Sequence, residues 1–248
     1  MSEAAHTHTA PGAASATMLS VRDLNAWYGE SHVLHGVTFD VPPGKVISIV
    51  GRNGAGKTTT LRAIVGLLKK RTGSIVVEGT ETIGLKPRQI TRLGIGYVPE
   101  ERGIFSSLSV RENFTLPRVV RPPIMDRDEI FTLFPNLAHR LNAPGTKLSG
   151  GEQQMLAMAR ILRTGAPLLL LDEPTEGLAP VIIEQIGETI RRLRDKGFTI
   201  VLVEQNIPFA WSLTDTFHVI EQGRVVDSIA TGHGQTDAIG RLKSYLGV

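Results

Sequence analysis

Apolar positions along this chain follow two rhythms, short runs with β-branched residues and longer stretches with helical spacing. Met18–Arg22 and Val33–Val41 read as strands, Pro42-Pro43-Gly44 supplies a turn, and Lys45–Val50 is a mostly apolar run suited to a buried strand. The spacing then changes. Leu61, Ile64, Val65 and Leu68 fall on one helical face, which predicts a helix over Lys57–Leu68 that Thr72-Gly73 would stop, followed by a short strand at Ser74–Glu78. From about Gln89 to Arg163 the apolar clusters shorten and are broken by Pro117, Pro122, Pro123, Pro135 and Pro144, ending in a helix at Glu152–Leu162. That texture predicts a helical subdomain. Leu168–Leu171, Thr199–Val203 and Thr216–Ile220 are strand-like, the first two separated by a helix at Val181–Lys196 with a charged surface. Strand–helix alternation predicts a mainly parallel α/β sheet. No internal repeat is visible.

Composition narrows the classes without choosing one. A chain of 248 residues, 41% hydrophobic and 21% charged, is ordinary for a soluble globular domain. Its longest apolar runs fall far short of a bilayer span. Residues 1–17 are small and polar, with neither the basic start nor the apolar core of a secretory signal, and read as a disordered tail. His6 and His8 within it lack a third ligand for a metal. The absence of cysteine excludes disulfides and thiolate metal sites. A net charge of +3 argues for neither lipid nor nucleic acid, and no nucleic-acid partner is expected.

The chemistry concentrates in two segments. Gly51-Arg52-Asn53-Gly54-Ala55-Gly56-Lys57-Thr58-Thr59 satisfies the phosphate-loop pattern and sits between a buried strand and a helix. In that setting the backbone N–H groups of Gly51, Asn53, Gly54, Ala55 and Gly56 can curl around phosphate oxygens. Lys57 can neutralise the β- and γ-phosphates, the Thr58 hydroxyl can ligate Mg²⁺, and Thr59 can add a hydrogen bond. Read alone, the segment could be a glycine-rich turn with a lysine. Leu168–Leu171 ends in Asp172-Glu173, at the tip of a second buried strand. Asp172 can hold Mg²⁺ through water, and Glu173 can polarise an attacking water. Asp-Glu-Pro-Thr is also good helix-capping chemistry.

Leu148-Ser149-Gly150-Gly151-Glu152-Gln153-Gln154 opens the helix just upstream of that acidic strand. Without further context it is a capping box, Ser149 with Glu152. In this position it resembles the signature of ATP-binding cassette (ABC) ATPases, and the resemblance spans roughly residues 18–248. It implies a P-loop NTPase fold with a mainly parallel core, an antiparallel β subdomain and a helical subdomain inserted at about 89–163. It also implies an ATP site to which Ser149, Gly150, Gly151 and Glu152 contribute across a head-to-tail dimer, with Tyr28 stacking on adenine. Glu100 stands where the family usually has a glutamine that senses Mg²⁺, Ala179 where many relatives have aspartate, and Gln205 where most have a histidine. Gln205 can hydrogen-bond but cannot take a proton.

Glu100 after Val98-Pro99, Gly177-Leu178-Ala179-Pro180, Glu204-Gln205-Asn206 and Tyr245-Leu246-Gly247 together resemble the branched-chain and hydrophobic amino-acid branch of bacterial importers. The resemblance implies a Mg²⁺-dependent ATPase at the cytoplasmic face of the inner membrane. Its implied partners are transmembrane permease subunits, a second ATPase subunit and, indirectly, an external solute-binding protein; the solutes include amides, urea and carboxylates. Two other readings stay open: a cassette acting on nucleic acid or ribosomes, and a nucleotide-binding regulatory subunit.

Overall fold

A computed structural model describes residues 17–231 and 235–246. The strands, in chain order, are β1 (Leu19–Tyr28), β2 (Ser31–Val41), β3 (Val46–Val50), β4 (Lys70–Val77), β5 (Thr80–Glu81), β6 (Ile95–Val98), β7 (Leu168–Asp172), β8 (Thr199–Val203), β9 (Thr216–Glu221) and β10 (Arg224–Ala230). The α-helices are α1 (Lys57–Ile64), α2 (Pro87–Arg92), α3 (Val110–Thr115), α4 (Arg127–Leu133), α5 (Pro135–Ala138), α6 (Gly150–Leu162), α7 (Pro180–Asp195), α8 (Ile207–Trp211) and α9 (Gln235–Leu246).

Two sheets organise these elements. An antiparallel sheet runs β2-β1-β4-β5, and a six-stranded sheet runs β10-β9-β3-β8-β7-β6, parallel from β9 to β6 with β10 as an antiparallel edge. The central strands are apolar on both faces because both are covered. Leu168 and Leu170 of β7 and Val201 and Val203 of β8 pack with the antiparallel sheet and α1. Leu169, Leu171, Ile200 and Leu202 pack with α3, α4, α6 and α7. A third cluster joins β9 and β10 to α8 and α9. The ABC ATPase architecture expected from the sequence is the one observed.

Several boundaries differ. α1 stops at Ile64, not Leu68, because Gly66 takes the left-handed conformation, with Gly66 N–H bonded to Ala63 O at 3.1 Å and Leu67 N–H to Arg62 O at 2.9 Å. That is a complete Schellman stop, which leaves Val65 and Leu68 apolar but outside the helix. Thr72-Gly73, expected to end the helix, lies inside β4. There Gly73 has φ +105°, and a Cβ would sit 2.3 Å from Asp23 O, so only glycine fits against the irregular stretch of β1. That irregularity, with register shifts between Val21 and Trp27, also hides the continuation of β1 beyond Arg22.

The expected helical unit, 89–163, contains Ile95–Val98, which pairs with β7 as the edge of the parallel sheet. α2 enters that range before β6, and the remaining helices of the range begin after Val98, at α3. The hairpin joining β9 to β10 turns on Gln222 (φ +45°) and Gly223 (φ +73°), a primed turn that the sequence reading passed over together with β10 and α9. Of the expected tail, 1–17, all but Thr17 lies outside the described residues, as do His6, His8 and Gly247.

Candidate functional site

The carboxyl ends of β3, β7 and β8 and the segment leaving β6 meet at one cleft of roughly 340 Å³. Its lining comprises Asn53, Gly54, Gly56, Lys57, Thr58, Thr59, Glu100, Glu173, Glu176 and Gln205. The phosphate loop shapes one wall. Gly54 and Gly56 have φ +78° and +113°, and a Cβ on Gly51 would meet Ile220 O at 2.2 Å. α1 starts at Lys57 with Gly56 as its N-cap, no side-chain cap and no acid in its first turn. The carboxylates near its positive end come from other elements, Asp172 on the Thr58 hydroxyl and Glu173 beside Lys57.

Lys57 is 4% exposed and donates to Gly51 O at 2.9 Å and Arg52 O at 3.3 Å, with Glu173 Oε1 3.5 Å away. Glu173 has φ +44°, a conformation that costs a non-glycine residue on the order of 1 kcal/mol. Its N–H is held by Val203 O at 2.9 Å, and its Oε2 accepts from Gln205 Nε2 at 2.6 Å. The strained turn thus sends Glu173 toward Lys57 and Gln205, away from the neighbouring Asp172.

Asp172 is fully buried, with Oδ1 accepting from the Thr58 hydroxyl and Oδ2 from the Tyr97 hydroxyl, each at 2.9 Å. Burial pushes its carboxyl above the ordinary range, against the two hydroxyl donors, and the Glu173 charge adds to the rise. Burial and Asp172 push the Tyr97 phenol up, so it stays a donor. A buried carboxylate beside a hydroxyl, with no cation paired to it among the described residues, is a hard-oxygen pair of the kind Mg²⁺ takes. Thr58 and Asp172 therefore fit the ion. Glu100 reaches the same cleft, and its carboxyl is raised by burial first and then by the charges of Glu173, Asp172, Glu101 and Glu176.

The remaining expected site residues lie elsewhere. Tyr28 ends β1, is 44% exposed and does not line the cleft. Ser149 caps α6 by accepting from Glu152 N–H at 3.3 Å, while Gly150 and Gly151 form the first turn; none of these lines the cleft of its own chain. The resemblance implies Glu152 among the nucleotide contacts; here its carboxylate is engaged inside the chain, by Arg140 at 2.7 and 2.8 Å and by Ser149 N–H at 2.8 Å. Ala179 precedes α7 with no side-chain cap.

Two residues of the site escaped the sequence reading. In the sequence Tyr97 reads only as part of the segment around Glu100, yet its hydroxyl donates to Asp172 Oδ2 at 2.9 Å. In the sequence Glu204 reads as a flank of Gln205, yet it is a buried acid immediately after β8, much as Asp172 is the last residue of β7.

Comparison with known proteins agrees with this geometry. The sequence profile of the ABC transporter family matches residues 34–176. The chain is 43% identical over 212 residues to the high-affinity branched-chain amino acid transport ATP-binding protein BraG of Pseudomonas aeruginosa, covering 84% of this chain and 91% of that protein. It is 40% identical over 212 residues to a probable branched-chain amino acid transport ATP-binding protein, LivF, of Archaeoglobus fulgidus, covering 84% and 90%. It is also 31% identical to the lipopolysaccharide export system ATP-binding protein LptB of Haemophilus influenzae, covering 87% and 90%. Among solved structures, a bacterial ABC transporter cassette determined as a dimer superposes with a TM-score of 0.77 at 25% identity, covering 88% of this chain and all of that one. A phosphate loop, an acidic strand end and a capped signature turn, set on two sheets and a helical unit, together with these relatives, place the chain in the ABC transporter family as an ATP-binding subunit.

Proposed function

We propose that this chain is the Mg²⁺-dependent ATPase that energises an importer of branched-chain amino acids or related small polar solutes such as amides, urea or carboxylates. The observation that carries the enzymatic part is the position of Glu173, turned by its left-handed backbone onto Lys57 and Gln205 at the mouth of the phosphate cleft. Bound Mg²⁺ would neutralise charge on the phosphates of ATP. The chain's own work is positional: the loop amides and Lys57 hold the phosphates, Thr58 and Asp172 hold the cation with Glu100 beside it, and Glu173 orients water, assisted by Gln205.

The solute class rests on the BraG and LivF relatives, and the LptB relative supports a second reading, an ATPase serving lipopolysaccharide export. Head-to-tail pairing with a second ATPase subunit explains why Ser149, Gly150 and Gly151 stand away from their own chain's cleft. Docking to transmembrane permease subunits at the cytoplasmic face suits the groove of roughly 440 Å³ lined by Leu67, Arg88, Tyr97, Pro117 and Val120. Tyr97 reaches both that groove and Asp172. Among the described residues no helix is long and apolar enough to cross a membrane.

The test is Mg²⁺-dependent ATP hydrolysis against protein concentration, with Glu173→Gln and Lys57→Ala alongside. Super-linear activity lost in both variants, with an ATP-stabilised dimer of Glu173→Gln, supports the reading. Failure to bind ATP refutes it. Uptake of labelled leucine by the reconstituted transporter then separates the importer from the exporter.

A further inference from the structure

Glu204 immediately follows β8 and is 2% exposed, yet among the described residues it has no cationic partner. A buried, unpaired carboxylate is expensive unless its oxygens are well used. Here each oxygen serves a different loop. Oε1 accepts from the Thr175 hydroxyl at 2.7 Å and from Thr175 N–H at 3.3 Å. Oε2 accepts from the backbone N–H groups of Gln205 at 3.1 Å and Asn206 at 3.2 Å. The first loop leaves Glu173 and runs through Thr175 to Ala179; the second carries Gln205.

We propose that Glu204 is the positioning residue that sets Gln205 on Glu173 and ties this pair to the Thr175–Ala179 turn. The inference rests on the reading of Glu173 as the residue that orients water. Several bonds close the arrangement. Glu173 N–H is held by Val203 O, the residue before Glu204, and Gln205 Nε2 reaches back to Glu173 Oε2. Thr175 O accepts from Leu178 N–H at 3.2 Å, which carries the connection into the turn before α7. A displacement of that turn is thereby felt at Gln205 through one carboxylate, without any contact to the nucleotide. An uncharged side chain could brace one loop; two loops presenting four donors require the four acceptor positions that an ionised carboxylate supplies.

The test compares Glu204→Gln, Thr175→Val and Thr175→Ser in the full-length chain, reading ATP hydrolysis, nucleotide affinity and amide hydrogen exchange. Glu204→Gln keeps one acceptor oxygen but sets an NH₂ group against two backbone donors. It should lower kcat by about ten- to a hundredfold with KM within about twofold, as expected for misplacement without loss of binding. Exchange should accelerate in both segments, 173–180 and 203–208. Thr175→Val should reproduce the exchange in both segments, and Thr175→Ser, which keeps the hydroxyl, should restore wild-type behaviour. A folded Glu204→Gln protein with wild-type kcat, or faster exchange confined to 203–208, overturns the proposal. If the wild-type chain binds ATP but does not hydrolyse it, the ATPase reading is what fails, and the exchange data still decide whether Glu204 couples the two loops.

Discussion

Asp172→Asn should make the nucleotide-free protein more stable while removing its response to Mg²⁺-ATP. Asp172 is fully buried, its carboxyl is held above the ordinary range by burial, and its partners are two neutral hydroxyls. Both hydroxyls can donate or accept, so an asparagine of the same shape can accept from one and donate to the other. What disappears is a desolvated charge next to Glu173, and relief of about 1–2 kcal/mol is expected. For a chain of this size that corresponds to a rise in Tm of about 2–8 °C. The sign with pH follows. A raised folded-state pKa means that the wild type holds its proton more tightly when folded, so this group's contribution declines as pH rises from the ordinary carboxyl value through the folded one. The stability advantage of the variant should therefore be larger above the raised folded-state value than below the ordinary carboxyl range, where the carboxyl is protonated in both states. In thermal melts the wild type at a hundredfold excess of Mg²⁺-ATP over Kd gains about 2.7 kcal/mol, and the variant should lose most of that gain. An Asp172→Asn protein that melts below the wild type in the absence of nucleotide would refute the reasoning, because the carboxylate would then be a net stabiliser.

Tyr97→Phe removes one donor from Asp172 and leaves the ring in the groove; Mg²⁺ dependence of hydrolysis should shift to higher concentration, by about threefold to tenfold, with the protein still folded. Gly73→Ala places a Cβ 2.3 Å from Asp23 O at a backbone φ of +105°, and a loss of about 2–4 kcal/mol should appear as a lower denaturant midpoint. His218, buried against Phe39 with its Nδ1 2.8 Å from the Ser228 hydroxyl, is pushed down to about 4 by burial, opposed by Asp40. The unfolded chain therefore takes up this proton first, and up to about 3 kcal/mol of stability should be lost as pH falls from 6.5 to 4. A His218→Gln variant should flatten that part of the curve in urea melts taken at successive pH values.

The sequence disclosed what is local. The phosphate loop, the acidic end of β7 and the capping box of α6 each lie within a few consecutive residues, and their flanking elements follow from apolar periodicity. The antiparallel sheet was less legible, because register shifts in β1 break the period-2 pattern between Val21 and Trp27 and because Gly73 looks like a stop when it is a point of close approach. Gly66, the true end of α1, is hidden in an apolar stretch that keeps helical spacing beyond it. Tyr97 and Glu204 became visible only when β6, β7 and β8 were side by side, since their partners Asp172 and Thr175 are distant in sequence. A buried acid at a strand end was nevertheless a signal that could have been used twice.

The charges around the cleft carry one more consequence. Its lining includes Glu100, Glu173 and Glu176 against Lys57, with Asp172 buried behind Thr58. This excess of carboxylates meets a ligand that is itself a polyanion. On the proposed reading the attraction would come from Lys57, from groups with no net charge, namely the backbone N–H donors of the loop and the uncapped end of α1, and from a divalent cation arriving with the nucleotide. Lys57 is already engaged by Gly51 O, Arg52 O and Glu173, so on that reading it would serve the phosphates by exchanging partners. Such an exchange would release Glu173 from Lys57, while Gln205 Nε2, which donates to the other oxygen at 2.6 Å, could keep its hold. On the proposed ATPase reading, nucleotide binding and the freeing of Glu173 would be one event, and a cleft with fewer acids would bind ATP without preparing Glu173 to orient water.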